Sequence, residues 1–323
     1  MIIPKKIDPF LSGIALMVLL ALIIPYREDY AHFLPLKEII YFGIMGIFFL
    51  YGIKLNPREM ASDLSNWRLH LLIQSTTFLL FPILVLTFYP FFKNTEYHHI
   101  WLGSFFLAAL PSTVSSSVVM VAMGKGNLPS AIFNASISGL IGLIMTPFWM
   151  HYFLPKSSES LSQLEIAAQL TIQVLLPVII GLFFHKKCIT FVRKNSSKVA
   201  WYDKIIIFLI IYKSFSTAFV DGTFSQLPAL LYIIISFACI LLFLAGYYFL
   251  KWITSTLKFS IEDTITTLFC GSQKSLVHGS VFILVLVNDI SIHSLLLIPI
   301  MIYHSFQLFF IGYKASVYSK RVK

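Results

Sequence analysis

The sequence predicts an all-α membrane protein: ten transmembrane helices in two inverted five-helix repeats, with broken helices four and nine crossing mid-membrane. Three observations lead there. Hydrophobic residues make up 58% of the 323-residue chain and charged residues only 12%, whereas soluble domains carry about a quarter charged. Ten apolar stretches each approach the roughly 20 residues a helix needs to cross hydrocarbon. Two of them, the fourth and the ninth, are interrupted by polar, flexible residues.

The first stretch, 8–26, follows Lys5 and Lys6 and resembles the core of a secretory leader. No small-residue cleavage site follows it; Tyr26-Arg27-Glu28-Asp29 does, so it reads as a retained helix. The other nine are 36–55, 67–91, 99–123, 127–154, 163–185, 201–220, 226–252, 262–287 and 291–313. The connections are short and polar. The longest, 186–200, carries Lys186, Lys187, Arg193, Lys194 and Lys198. Residues 1–323 thus form one integral membrane unit, with 1–154 as the first repeat and 163–323 as the second.

Orientation follows from the cations. With both termini cytoplasmic, 18 of the 24 Lys and Arg lie inside, Arg27, Lys37, Lys93 and Lys156 lie outside, and two fall within spans. Such a bias over short loops is the positive-inside pattern, and the expected location is a bacterial inner membrane. The net charge of +10 therefore signals the bilayer surface and not nucleic acid. Five spans per half is an odd number, so the second half must be inverted.

In hydrocarbon every backbone N–H and C=O needs a partner, so unwound chain survives only when buried in protein or lining a wet cavity. Interrupted spans in corresponding places of two halves mark the binding site of a secondary transporter. The first interruption is Pro111-Ser112-Thr113-Val114-Ser115-Ser116-Ser117. Proline removes one hydrogen bond and biases Leu110 out of helical geometry. Five hydroxyls in six positions then supply hard oxygen ligands for Na⁺ or polar substrate groups, or else a small-residue packing seam. Asn134, Ser136 and Ser138 on the next span are candidates for the same cavity.

The second interruption, Gly271-Ser272-Gln273-Lys274-Ser275, holds the costly residues. An intramembrane lysine is a functional candidate by default, and Lys274 lies too deep to snorkel to the interface. Lys213, midway along the seventh span, is a weaker second case. His304 and Gln307, three apart on the last span, read either as site residues or as a stripe that bonds a neighbouring helix. His278 reads the same way. Cys188, Cys239 and Cys270 have neither metal-ligand spacing nor a disulfide framework, so they read as small apolar fillers.

Every Asp and Glu falls in a loop or at a span end. A Na⁺ about 4 Å from a charged Lys274 would be repelled by roughly 4 kcal/mol at an effective dielectric of 20. The interior is thus biased toward an anionic ligand, or toward Lys274 itself standing as the cation or carrying the coupling proton. No nucleophile–base pair or paired carboxylates appear, which argues against an enzyme.

At its two interruptions the chain resembles the bile acid:sodium symporter superfamily, in the branch of solute carrier 10 member seven and its bacterial counterparts. The residues carrying the likeness are 111–134 (PSTVSSSVVMVAMGKGNLPSAIFN), 263–276 (DTITTLFCGSQKSL) and 302–307 (IYHSFQ). The resemblance implies ten helices in a panel and a core domain, with two helices crossing at unwound middles. It implies that the family's serine–asparagine pair falls near Ser116 and Ser117 and its glutamine on Gln273, a residual Na⁺ site. The departures are as informative. The family's sodium-binding glutamate falls on Phe269, two hydroxyl positions on Ala131 and Ala135, and an asparagine on Lys274.

The expected function is therefore secondary transport of a small organic anion by alternating access, without two-sodium coupling. Ser115, Ser116, Ser117, Asn134, Gln273, Lys274, Ser275, His304 and Gln307 are the candidate site. No cofactor is expected beyond Na⁺ or H⁺ as coupling ion. The alternatives are a sodium-coupled symporter of an organic anion and a non-transporting membrane regulator of the same fold.

Overall fold

A computed structural model describes residues 9–27, 33–55, 63–154, 171–222, 228–287 and 289–321. Among these the regular structure is entirely helical. The main helices are α1 (Pro9–Ile23), α2 (Leu36–Lys54), α3 (Trp67–Leu86), α4 (His98–Ala109), α5 (Ser115–Met123) and α6 (Leu128–His151). They continue with α7 (Thr171–Lys194), α8 (Ser196–Val220), α9 (Ala229–Thr256), α10 (Ile261–Gly271), α11 (Leu276–Leu286) and α12 (His293–Ser319). Seven helical stretches are long and apolar enough to span a bilayer: α2, α3, α6, α7, α9, the α10–α11 pair and α12. The protein is integral to the membrane. The fourth expected span is instead two short helices, α4 and α5, and α8 mixes Asp203, Lys204 and Lys213 into its apolar run.

Two expectations about connections are corrected. The basic stretch 186–200 is not a loop: α7 runs to Lys194 and α8 starts at Ser196, leaving Asn195 alone between them. The segment contains neither Pro nor Gly, and Lys and Arg are good helix formers, so helix runs through the basic stretch with a break only at Asn195. The third span ends earlier than 91. Helix α3 stops at Leu86, and a four-residue turn (Tyr89–Phe92) built around Pro90 follows.

The described chain divides into two compact units, Met1–Asn56 with Lys156–Pro228 and Ser280–Ser294, and Pro57–Pro155 with Ala229–Gly279 and Leu295–Lys323. In the first unit, α2 and α7 meet backbone to backbone. A Cβ on Gly52 would strike the Val178 carbonyl, and one on Gly181 would strike that of Phe49. Glycine is required at both, as in other close membrane helix crossings. Beside them, Tyr202 of α8 donates to the Gly43 carbonyl at 3.0 Å.

The second unit contains α3 to α6, α9, α10, the first turn of α11 and most of α12. The starts of three helices are tied together at one carboxylate, Asp263, which accepts from Asn66 at 3.1 Å and Asn127 at 2.8 Å. Arg321 closes this end, pairing with Glu262 at 2.8 Å. Within α3 the helix widens into a π turn at Thr76–Leu80, just before Pro82. Proline lacks an N–H and its ring crowds the carbonyl four residues back, so the wider turn relieves the clash.

Candidate functional site

Both interruptions are unwound, and both are shorter than the sequence suggested. Helix α4 ends at Ala109 and α5 begins at Ser115, so the first break is Leu110 to Val114. Ser115, Ser116 and Ser117 form the opening turn of α5, where hydroxyl side chains compete well for free backbone groups. The second break is Ser272 to Ser275, between α10 and α11.

Buried backbone groups must be paired somewhere, and around these breaks the partners can be named. The Pro111 carbonyl accepts from the Ser275 N–H at 2.9 Å. The Ala109 carbonyl accepts from Thr146 at 2.8 Å, and the Ser112 N–H goes to the Ser138 hydroxyl at 3.0 Å. The Ser112 hydroxyl donates to the Cys270 carbonyl. In the second break, Tyr303 donates to the Ser272 carbonyl at 2.7 Å. Gln307 clamps Lys274: its Oε1 accepts the Lys274 N–H at 2.8 Å, and its Nε2 donates to the Lys274 carbonyl at 2.9 Å. The two breaks therefore hold each other and are held by α6 and α12.

Side chains join them as well. Gln273 Oε1 accepts from Thr113 at 2.8 Å, and the single proton of the Ser116 hydroxyl goes either to Gln273 Oε1 at 3.0 Å or to Thr113 Oγ1 at 2.8 Å. The carboxamide is fully buried, and its Nε2 has no partner. A buried, unpaired donor costs roughly 1–3 kcal/mol unless something completes it. Two hydroxyls and one incomplete amide, from Thr113 in the first break, Ser116 at the start of α5 and Gln273 in the second break, form a small polar cup.

Lys274 lies beside this cup in sequence but its ammonium goes elsewhere. Nζ donates to three backbone carbonyls: Thr77 at 2.7 Å, Ala108 at 2.6 Å and Leu110 at 2.8 Å. It also sits 4.7 Å from the centre of the Phe81 ring. The side chain is 1% exposed, and among the described residues no Asp or Glu is buried.

The other expected site residues divide. Ser117 turns back on its own chain, donating to the Thr113 carbonyl at 2.6 Å. Ser275 bonds His278 at 2.9 Å. His304 meets Gln307 at 2.7 Å. The side chain of Ser115 falls outside the described residues. Asn134 joins a different group: its Oδ1 accepts from Gln74 at 3.0 Å and its Nδ2 lies 2.8 Å from His70 Nδ1. That group borders an open cleft lined by Trp67, Phe133 and Ile137. Ser138 does reach the first break, whereas Ser136 bonds its own helix. Lys213 belongs to the other unit. Sequence reasoning missed the Thr77 carbonyl, His70 and Gln74. Pro82 was the legible sign of the first, and the four-residue spacing of His70 and Gln74 within an apolar span was the sign of the others.

A family model, the SBF-like CPA transporter family, matches residues 8–320. The chain belongs to that family. An SBF-like transporter is not an enzyme. Similar proteins include an uncharacterised protein of Pseudomonas aeruginosa, 32% identical, covering 97% of this chain and 93% of its own. Escherichia coli K12 has a protein named as a symporter, YfeH, 30% identical over 99% of this chain and 95% of its own. The zebrafish (Danio rerio) protein named sodium/bile acid cotransporter 7 is 29% identical over 93% and 90%. The resemblance seen at the two breaks thus extends along the whole chain.

Proposed function

We propose that the protein is a secondary active transporter of a small organic anion, working by alternating access. In this reading α4–α5 and α10–α11 are the fourth and ninth of ten spans, related by inverted repeats and crossing mid-membrane. Both termini are cytoplasmic, and the host membrane is a bacterial inner membrane. One observation carries the proposal: the buried Gln273 amide, bonded to Thr113 and Ser116, has an Nε2 donor with no partner. A carboxylate or sulfonate oxygen would complete it, in unwound chain of the kind that transporters use for binding. Thr113, Ser116 and Gln273 are the proposed contributors. Two-sodium coupling fits poorly, because no carboxylate is buried among the described residues and a resident lysine charge repels added cations.

A second reading is sodium-coupled symport through the oxygens of Thr113, Ser116 and Gln273. The name sodium/bile acid cotransporter 7, carried by several relatives, favours it. Reconstitution in liposomes separates the two. Uptake of labelled sterol carboxylates, aromatic carboxylates and dicarboxylates is measured under an inward Na⁺ gradient, an inward proton gradient, or neither. Saturable uptake that ignores Na⁺ is the expected result. Uptake that requires Na⁺ favours the second reading, and binding without flux for every anion overturns transport.

A further inference from the structure

The surroundings of Lys274 Nζ are those of an ion, and they arise from two prolines far apart in sequence. Pro82 has no N–H to offer the Thr77 carbonyl across the π turn, and the Phe81 N–H is already bonded to Thr76. Pro111 likewise has none for Ala108, and the Ser112 N–H is spent on Ser138. Leu110 is extended (φ −71°, ψ 151°), so its carbonyl leaves the helical ladder altogether. Three carbonyl oxygens thus lose their backbone donors and converge at 2.6–2.8 Å on one nitrogen. Two of them belong to the C-terminal end of α4, where the helix dipole is negative and favours a cation. The face of Phe81 adds a fourth attractive surface.

Unwound carbonyls at the end of a half-helix are what transporters use to coordinate a monovalent ion from solution. Here we propose that the protein supplies that ion covalently: the Lys274 ammonium is a built-in cation filling the carbonyl cage. Three acceptors within hydrogen-bond distance require three donors, and only the ammonium form has three, since a neutral amine would turn its lone pair toward one carbonyl. No carboxylate partner is needed, because the cage itself offsets the cost of desolvating the charge. The breaks are therefore locked to α3 without an ion at this position. The consequence for coupling, that no Na⁺ is required here, rests on the transport reading; the cage does not.

Because the cage stands apart from flux, its test is a stability measurement on the purified protein. Lys274→Ala is melted in Na⁺-free detergent buffer against increasing ethylammonium chloride, with tetramethylammonium chloride at matched ionic strength as control. Relative to wild type, the Tm should fall by about 5 °C or more, from three orphaned carbonyls. Ethylammonium should restore at least half of that loss with saturation, and tetramethylammonium, which has no N–H, none. Wild-type Tm should respond to neither. Lys274→Met, which fills the space without donors, should lose as much and gain nothing from ethylammonium. If Lys274→Ala survives purification only when ethylammonium is present, the proposal stands. Either variant melting with wild type, or a Lys274→Ala loss that ethylammonium leaves untouched, overturns it. Rescue without any wild-type flux would sink the transport reading alone; flux without rescue would sink the cage alone.

Discussion

Gln307→Leu is the most revealing single substitution outside the polar cup. Wild-type Gln307 makes two bonds to the backbone of Lys274, at 2.8 and 2.9 Å, and both residues are almost fully buried. Leucine matches the volume roughly but can neither donate nor accept. Side-chain hydrogen bonds between membrane helices average only about 0.6 kcal/mol, because freed partners find others. An N–H and a C=O in a broken, buried segment have no second partner, so each costs roughly 1–3 kcal/mol. The sum is about 2–6 kcal/mol. Thermal unfolding of the purified protein should therefore show Tm lower by at least about 4 °C. Gln307→Glu should fall between, since one carboxylate oxygen still accepts the N–H while the other opposes the Lys274 carbonyl. Transport should decline in proportion to the folded fraction. A Gln307→Leu protein that melts with wild type would refute the clamp, and one that does so while losing transport would make Gln307 a ligand.

Three further outcomes are expected. Ser116→Ala should weaken apparent substrate affinity about fivefold in the liposome assay, the effect of one lost hydrogen bond near 1 kcal/mol. Ser117→Ala should lower Tm with affinity unchanged, because Ser117 bonds carbonyls of its own turn; the reverse pattern would exchange their roles. Cysteine-accessibility labelling should find positions 194 and 320 cytoplasmic and 93 and 156 outside, and position 194 outside would overturn the ten-span orientation.

Much was legible because it depends on local chemistry. The apolar runs follow from the needs of backbone groups in hydrocarbon, and the break at Pro111 follows from a missing N–H. That no Asp or Glu would be buried among the described residues could be read directly. Local rules also misled where they competed. Three serines after a proline suggested a long unwound loop, yet they open α5, since Ser serves well at a helix start. The basic stretch 186–200 suggested a loop, yet it is helical up to Lys194.

The sequence by itself determined that α4 would fail at Pro111, that the apolar stretch 262–287 would fail beside Gln273, and that a lysine would be buried without a counter-ion. Only the tertiary structure decided what that lysine meets. Thr77 stands 197 residues from Lys274, and Ala108 stands 166 away. Gln307, 33 residues on, turned out to clamp the backbone, and Asn134 turned to His70 and Gln74, not to the breaks. The reason is that a residue's own chemistry fixes what it needs, here three acceptors or one donor. Which distant backbone group has been left free to meet that need is settled by how the helices pack.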